Sequence, residues 1–191
     1  MADATSRPVD AAATVQPENS ASAVQADKTV MPIIFAVSFC HMLNDIMQSM
    51  ISAIYPMLKA DYNLDFWQIG ILTLAFQCTA SLLQPVIGII TDKKPFPYSL
   101  PIGMGATFVG LFLLAGSHVY LMLVVAAALI GIGSAVFHPE SSRVARLASG
   151  GRYGFAQATF QVGGNFGQAI GPLLAAFIIV PMGQGSVAWF S

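Results

Sequence analysis

The stretch SFCHMLNDIMQSM, residues 38–50, sets His41, Asn44 and Asp45 inside the apolar run 31–57. A run of that length exceeds the roughly 20 residues needed to span a bilayer as a helix. Its polar residues are not scattered. His41, Asn44, Asp45, Gln48 and Ser52 follow i, i+3, i+4, i+7 and i+11, which is one face of an α-helix. At about 1.5 Å per residue from Met31, Asp45 lies about 21 Å along that helix, near the bilayer centre. An ionisable group at that depth costs on the order of 3 kcal/mol on insertion-based scales, so it should face a bundle interior or a watery cavity. The segment therefore predicts a membrane helix with neighbours.

The composition agrees. Of 191 residues, 55% are hydrophobic and 9% charged, against roughly 25% charged in a soluble domain. No basic patch points to nucleic acid. The two cysteines, Cys40 and Cys78, sit within apolar runs and read as reduced packing residues, not a disulfide framework. Residues 1–29, rich in Ala, Ser, Asp, Pro and Gln without apolar periodicity, read as a disordered, retained cytoplasmic tail. The transmembrane domain is expected over 30–191, with helices at 31–57, 66–90, 98–116, 119–137 and 154–180. The aromatic pair in VAWFS suggests a truncated sixth helix from about 187, so the chain reads as incomplete.

Basic residues alternate between loops. Lys28 precedes the first helix, Lys93 and Lys94 separate the second and third, and Arg143, Arg146 and Arg152 separate the fourth and fifth. The other side carries Lys59 with Asp61 and Asp65, while GSHV and PMGQGS hold no Lys or Arg. By the positive-inside rule the N-terminus and the even-numbered loops are cytoplasmic.

Two further helices carry polar stripes: Thr73, Gln77, Ser81 and Gln84 in the second, and Gln157, Gln161, Asn165 and Gln168 in the fifth. Three such stripes imply a shared hydrated cavity, because unsatisfied amides are unfavourable in lipid. On the other face of the fifth helix, Gly163, Gly167 and Gly171 recur every four residues and precede Pro172. They suit close helix packing or a hinge. Pro85 with Gly88 marks a second candidate flexible point.

GIITDKK, residues 88–94, resembles the start of the Gly-x-x-x-Asp-Arg/Lys loop motif of the major facilitator superfamily, through Gly88, Asp92 and Lys93. The loop then continues KPFPYS where that motif has a glycine and paired basic residues. GGNFGQAIGP, residues 163–172, resembles the helix-five motif of the superfamily's drug/proton antiporters, with Ala175 and Ala176 in place of its following glycines. CHMLNDIMQSMISAIYP together with GIGSAVFHPESSRVA resembles the fosmidomycin resistance branch. The resemblance implies an all-α fold of two six-helix halves, of which this chain supplies most of the first. It also implies proton-driven export of a small phosphonate drug across the bacterial inner membrane, with the proton gradient in place of any cofactor.

Three sets of site residues follow. Asp45 is the candidate proton carrier with His41 as its tuner or relay: burial disfavours both charges and pairing favours both. The competing role is a fixed hydrogen bond between helices. Asn44, Gln48, Gln77, Gln157, Gln161 and Asn165 are candidate substrate-cavity residues, because amides both donate and accept; helix-to-helix bonding is their alternative. With no Lys or Arg within the helices, the main cation for a phosphonate would come from the missing C-terminal half, and His41 is the one central candidate here. Asp92, Lys93, His138, Glu140 and Arg143 form a candidate cytoplasmic gate, with Pro139 ending or kinking the fourth helix and Arg143 pairing with Asp92. An ordinary solvated helix end is the alternative.

The leading function is proton-coupled efflux. An uptake symporter shares the same features, and a fragment would not transport alone, since alternating access needs two halves. No nucleophile or metal set with catalytic spacing appears at depth, so an intramembrane enzyme is not expected and no metal is assigned. The partners are a small solute, the lipid bilayer and the second half, with no nucleic acid.

Overall fold

The computed structural model describes residues 28–94 and 96–191, so the expected tail lies almost wholly outside the described residues. Every regular element among them is helical: α1 Met31–Ala53, α2 Tyr55–Asp61, α3 Phe66–Lys93, α4 Ser99–Ala115, α5 Tyr120–Leu147, α6 Tyr153–Met182 and a closing 3-10 turn, Gln184–Phe190. Helices α1, α3, α5 and α6 are each long and apolar enough to cross a membrane, and α4 is a shorter apolar helix. The chain is an all-α polytopic membrane protein.

Several boundaries differ from the sequence reading, and a proline explains the first of them. The first run does not continue to Met57. It breaks at Ile54, because Pro56 has no N–H to extend the ladder and instead opens α2. Helix α3 starts where Asp65 and Gln68 form a reciprocal capping box, with the Asp65 amide donating to Gln68 Oε1 at 2.8 Å. Two of the long helices loosen into one π-helical turn just before a proline: Cys78–Leu82 before Pro85, and Ala175–Ile179 before Pro181. Each π turn contains the carbonyl, of Ser81 or Phe177, that the proline nitrogen leaves without its i−4 donor.

Pro139 does not end α5 at Phe137. The helix runs on to Leu147 with the proline inside it, and the proline ring rests against Gly88 of α3. After Gly183, at φ 82°, the chain takes a 3-10 turn over Gln184–Phe190.

α1 packs along α6, α4 along α5, and α3 against α5. The glycine stripe of α6 sets the first of these contacts. A Cβ on Gly163 would overlap the Ser38 carbonyl, one on Gly167 the Met42 carbonyl, and one on Gly171 the Ser49 hydroxyl. The α1 backbone thus lies directly on α6. Ser38 Oγ, donating to the Thr159 carbonyl at 2.7 Å, adds an interhelical bond.

The apolar core is lopsided. Its main cluster, including Met50, Ile54, Leu58, Leu72, Leu111, Leu123 and Ile179, fills the end of the bundle away from the basic loops. At the basic-loop end the buried cluster is only Ile34, Ala148 and Ala156. There the chain is tied by hydrogen bonds: the Val30 amide to the Ala148 carbonyl at 2.8 Å, and Thr29 Oγ1 to the Ser149 carbonyl at 2.9 Å. These bonds set the start of α1 level with the end of α5.

Candidate functional site

From that shared level, Asp45 stands about 22 Å along α1 and His138 about 15 Å back along α5. The gap of roughly 7 Å closes because side chains lean toward their own helix N-terminus, and the two helices are antiparallel. Asp45 leans toward the basic-loop end and His138 away from it. They meet with His138 Nε2 3.3 Å from Asp45 Oδ1. On the other carboxylate oxygen, His41 Nε2 approaches Oδ2 to 3.5 Å from one turn earlier on α1.

Amide donors complete the shell. Gln168 on α6 donates to Asp45 Oδ2 at 2.9 Å, Asn44 to Oδ1 at 3.3 Å, and Gln48 reaches Oδ1 at a long 3.5 Å. Gln48 is itself held by Ser134 of α5, whose hydroxyl donates to Gln48 Oε1 at 3.0 Å. Asp45 and His41 are each 3% exposed, and Asn44 is fully buried.

The histidine partners fix where protons sit. His41 Nδ1 lies 2.9 Å from the Phe160 carbonyl, and His138 Nδ1 lies 2.9 Å from the Ser134 carbonyl. A carbonyl only accepts, so both Nδ1 atoms carry hydrogen, and each Nε2 carries one only when its ring is an imidazolium. With both rings neutral and Asp45 ionised, nitrogen lone pairs would point at carboxylate lone pairs. One added proton turns such a contact into a charge-assisted hydrogen bond. The geometry therefore allows the three groups to share a proton. One ring nitrogen of each histidine and a carboxylate oxygen of Asp45 lie within 4.8 Å of one another. Each imidazole addresses a different carboxylate oxygen, and both oxygens already accept amide hydrogens, which is a hydrogen-bonding arrangement.

His41 is walled in. Its ring stacks on Phe160 at 4.0 Å and 16°, and a Cβ on Gly164 would overlap it. His138 stands edge-on to it at 5.0 Å and 88°, with its side chain 24% exposed.

Two cavities border the cluster. One of about 340 Å³ is lined by Asp45, Gln48, Ser52, Tyr55, Thr73, Gln77 and Gln168. These residues lie toward the end of α1 and the start of α3, the bundle end away from the basic loops. The other, of about 560 Å³, is lined by Gln84, Gly88, His138, Ser142, Gln157 and Gln161, toward the basic-loop end.

The expected cavity residues thus separate. Gln48 and Gln77 line the first cavity, Gln157 and Gln161 the second, and Gln157 also pairs with Ser142 at 3.0 Å. Asn165 is exposed and lines neither. Asn44 lines neither; it is buried against Asp45. Within the expected gate, Asp92 and Lys93 end α3 as exposed groups, and His138 belongs to the Asp45 cluster. Arg143 pairs with Glu140 at 2.9 Å, not with Asp92. Gly163, Gly167 and Gly171 hold α1 close, and Pro172 lies inside α6.

Sequence reasoning left Gln168 out of the cavity although it ends the fifth helix's stripe. It had no signal for Ser134, Phe160 or Gly164.

The sequence profile of the Major Facilitator Superfamily matches residues 37–191. Over 171 residues, 90% of this chain, it is 58% identical to the fosmidomycin resistance protein of Escherichia coli (strain K12), covering 42% of that protein. It is 45% identical over 163 residues, 85% of this chain, to an uncharacterized major-facilitator-type transporter of Bacillus subtilis (strain 168), covering 40% of it. The chain spans about two fifths of the length of these curated relatives.

Proposed function

The chain belongs to the major facilitator superfamily, and on that premise we propose that it forms the N-terminal half of a proton-coupled transporter. The transporter exports a small drug such as fosmidomycin across the bacterial inner membrane by antiport. The observation that carries this reading is Asp45: a carboxylate inside the membrane-spanning helix α1, 3% exposed, between two imidazoles whose free nitrogens face it. Intramembrane ionisable groups of this kind mark ion pathways and proton relays. The drug follows from the name of the Escherichia coli relative. The alternation of basic loops supports a cytoplasmic N-terminus. Two halves enclose the substrate site in such transporters, so the second half is the required partner. A phosphonate's main cationic contact then comes from that half, since Lys28, Lys59, Lys93, Lys94, Arg143, Arg146 and Arg152 all lie outside the helix centres.

The test is Asp45→Asn in the full-length protein, assayed as proton-driven fosmidomycin uptake into inverted vesicles. Asparagine keeps the shape and removes the proton site, so uptake driven by the gradient should fall at least about tenfold. Uptake at the parent rate would refute the reading.

A further inference from the structure

We propose that the proton crosses the bundle from Asp45 to His138, where the cavity lined by Asp45 meets the cavity lined by His138, while His41 is a positioning residue outside the path. This rests on the proton-coupling reading above and adds the direction of transfer and the second group.

The geometry separates the two histidines. Asp45 lines the cavity at the end away from the basic loops, and His138 lines the cavity at the basic-loop end. Between them the bundle is one hydrogen bond thick, at 3.3 Å. His41 lines neither cavity and is sealed by the Phe160 ring, the Phe160 carbonyl and Gly164. A group that accepts a proton but has no water to release it into cannot complete a transfer. It can hold the carboxylate in place, as His41 does through Oδ2 while Oδ1 faces His138.

The step balances without another reactant. A proton from the first cavity protonates the Asp45 carboxylate. The Oδ1–H bond then breaks as the His138 Nε2–H bond forms, leaving a carboxylate and an imidazolium. The imidazolium ring then turns so that Nε2 leaves Asp45 and faces the second cavity, gives that proton to water there, and returns as the neutral ring to its Nδ1 bond with the Ser134 carbonyl.

The other groups around the pair are few. From α1 they are His41, Asn44 and Gln48; from α6, Gln168; from α5, Ser134. Tyr55 is the one further ionisable group on the first cavity. Glu140, two residues beyond His138, is occupied by Arg143.

Two measurements on the full-length protein test the route. In proteoliposomes carrying a lumenal pH dye, fosmidomycin flux and proton flux are read together for His138→Asn and His41→Asn. Asparagine's amide nitrogen stands near the position of Nδ1, so both backbone bonds survive without a titrating nitrogen. His138→Asn should lower protons moved per drug molecule at least about tenfold. His41→Asn should slow both fluxes together and leave their ratio unchanged. Independently of any substrate, nitrogen NMR of histidine-labelled protein between roughly pH 5 and 8 should show the His138 ring gaining the Nε2 proton. An unchanged ratio in His138→Asn, or His41 as the ring that gains the proton, would overturn the route and leave Asp45 coupling intact. An unchanged ratio in Asp45→Asn would instead remove the coupling reading beneath it.

Discussion

Arg143 reaches Glu140 with one nitrogen at 2.9 Å and leaves the other carboxylate oxygen, Oε1, buried without a partner. The Glu140 side chain is 3% exposed and that of Arg143 27%, so the pair joins a buried charge to a half-solvated one. The hydroxyls of Thr91 and Ser99 face the carboxylate, but both donate to carbonyls of their own segments.

Removing only the cation should therefore be worse than removing both charges. Arg143→Ala should lower the unfolding free energy of the solubilised protein by about 3 kcal/mol, the lower end for a broken buried pair. Adding Glu140→Gln should recover most of it. Exchanging Asp92 and Arg143 should not rescue either single change, since Arg143 answers to Glu140.

The α6 glycines should be sensitive in proportion to what a methyl would meet. Gly163→Ala and Gly171→Ala each push against α1 and should cost about 1–3 kcal/mol. Gly70 of α3 has nothing within 4 Å of the added carbon. Gly70→Ala should match or exceed the parent, by up to about 1 kcal/mol of helix propensity. Thermal unfolding in one detergent compares all three, and equal losses at Gly70 and Gly163 would refute the packing account.

The proposed orientation has a direct check. With Cys40 and Cys78 replaced by serine, Lys94→Cys should react with an impermeant maleimide in inverted vesicles and not in right-side-out ones. His118→Cys, in the exposed loop between α4 and α5, should do the reverse. The opposite pattern would turn the molecule over.

Much of this was legible before the structure. Length and hydropathy found the helices, and the i, i+3, i+4 spacing put His41 and Asp45 on one interior face. His138 was misplaced for a physical reason. The expected helix ran only to 137, with Pro139 ending or kinking it, yet Pro139 finds a glycine opposite its ring and α5 extends for 28 residues, about 42 Å. That exceeds the roughly 30 Å of hydrocarbon, so the end of the apolar run is a poor gauge of depth. Antiparallel side-chain lean then closes the remaining distance, and spacing within one helix carries no trace of that. The Phe160 stack on His41 depends on how closely α6 approaches, which the glycine stripe suggested only in outline.

Gly164 also orders the history open to this fold. A side chain gained there while the imidazole of His41 is present meets an occupied space, whereas exchanging His41 for a smaller residue first opens room for one. Losing the histidine first and then filling position 164 is therefore the easier order, because the reverse must first displace the ring. Once position 164 is filled, an imidazole at 41 can no longer lie where it does now, stacked on Phe160.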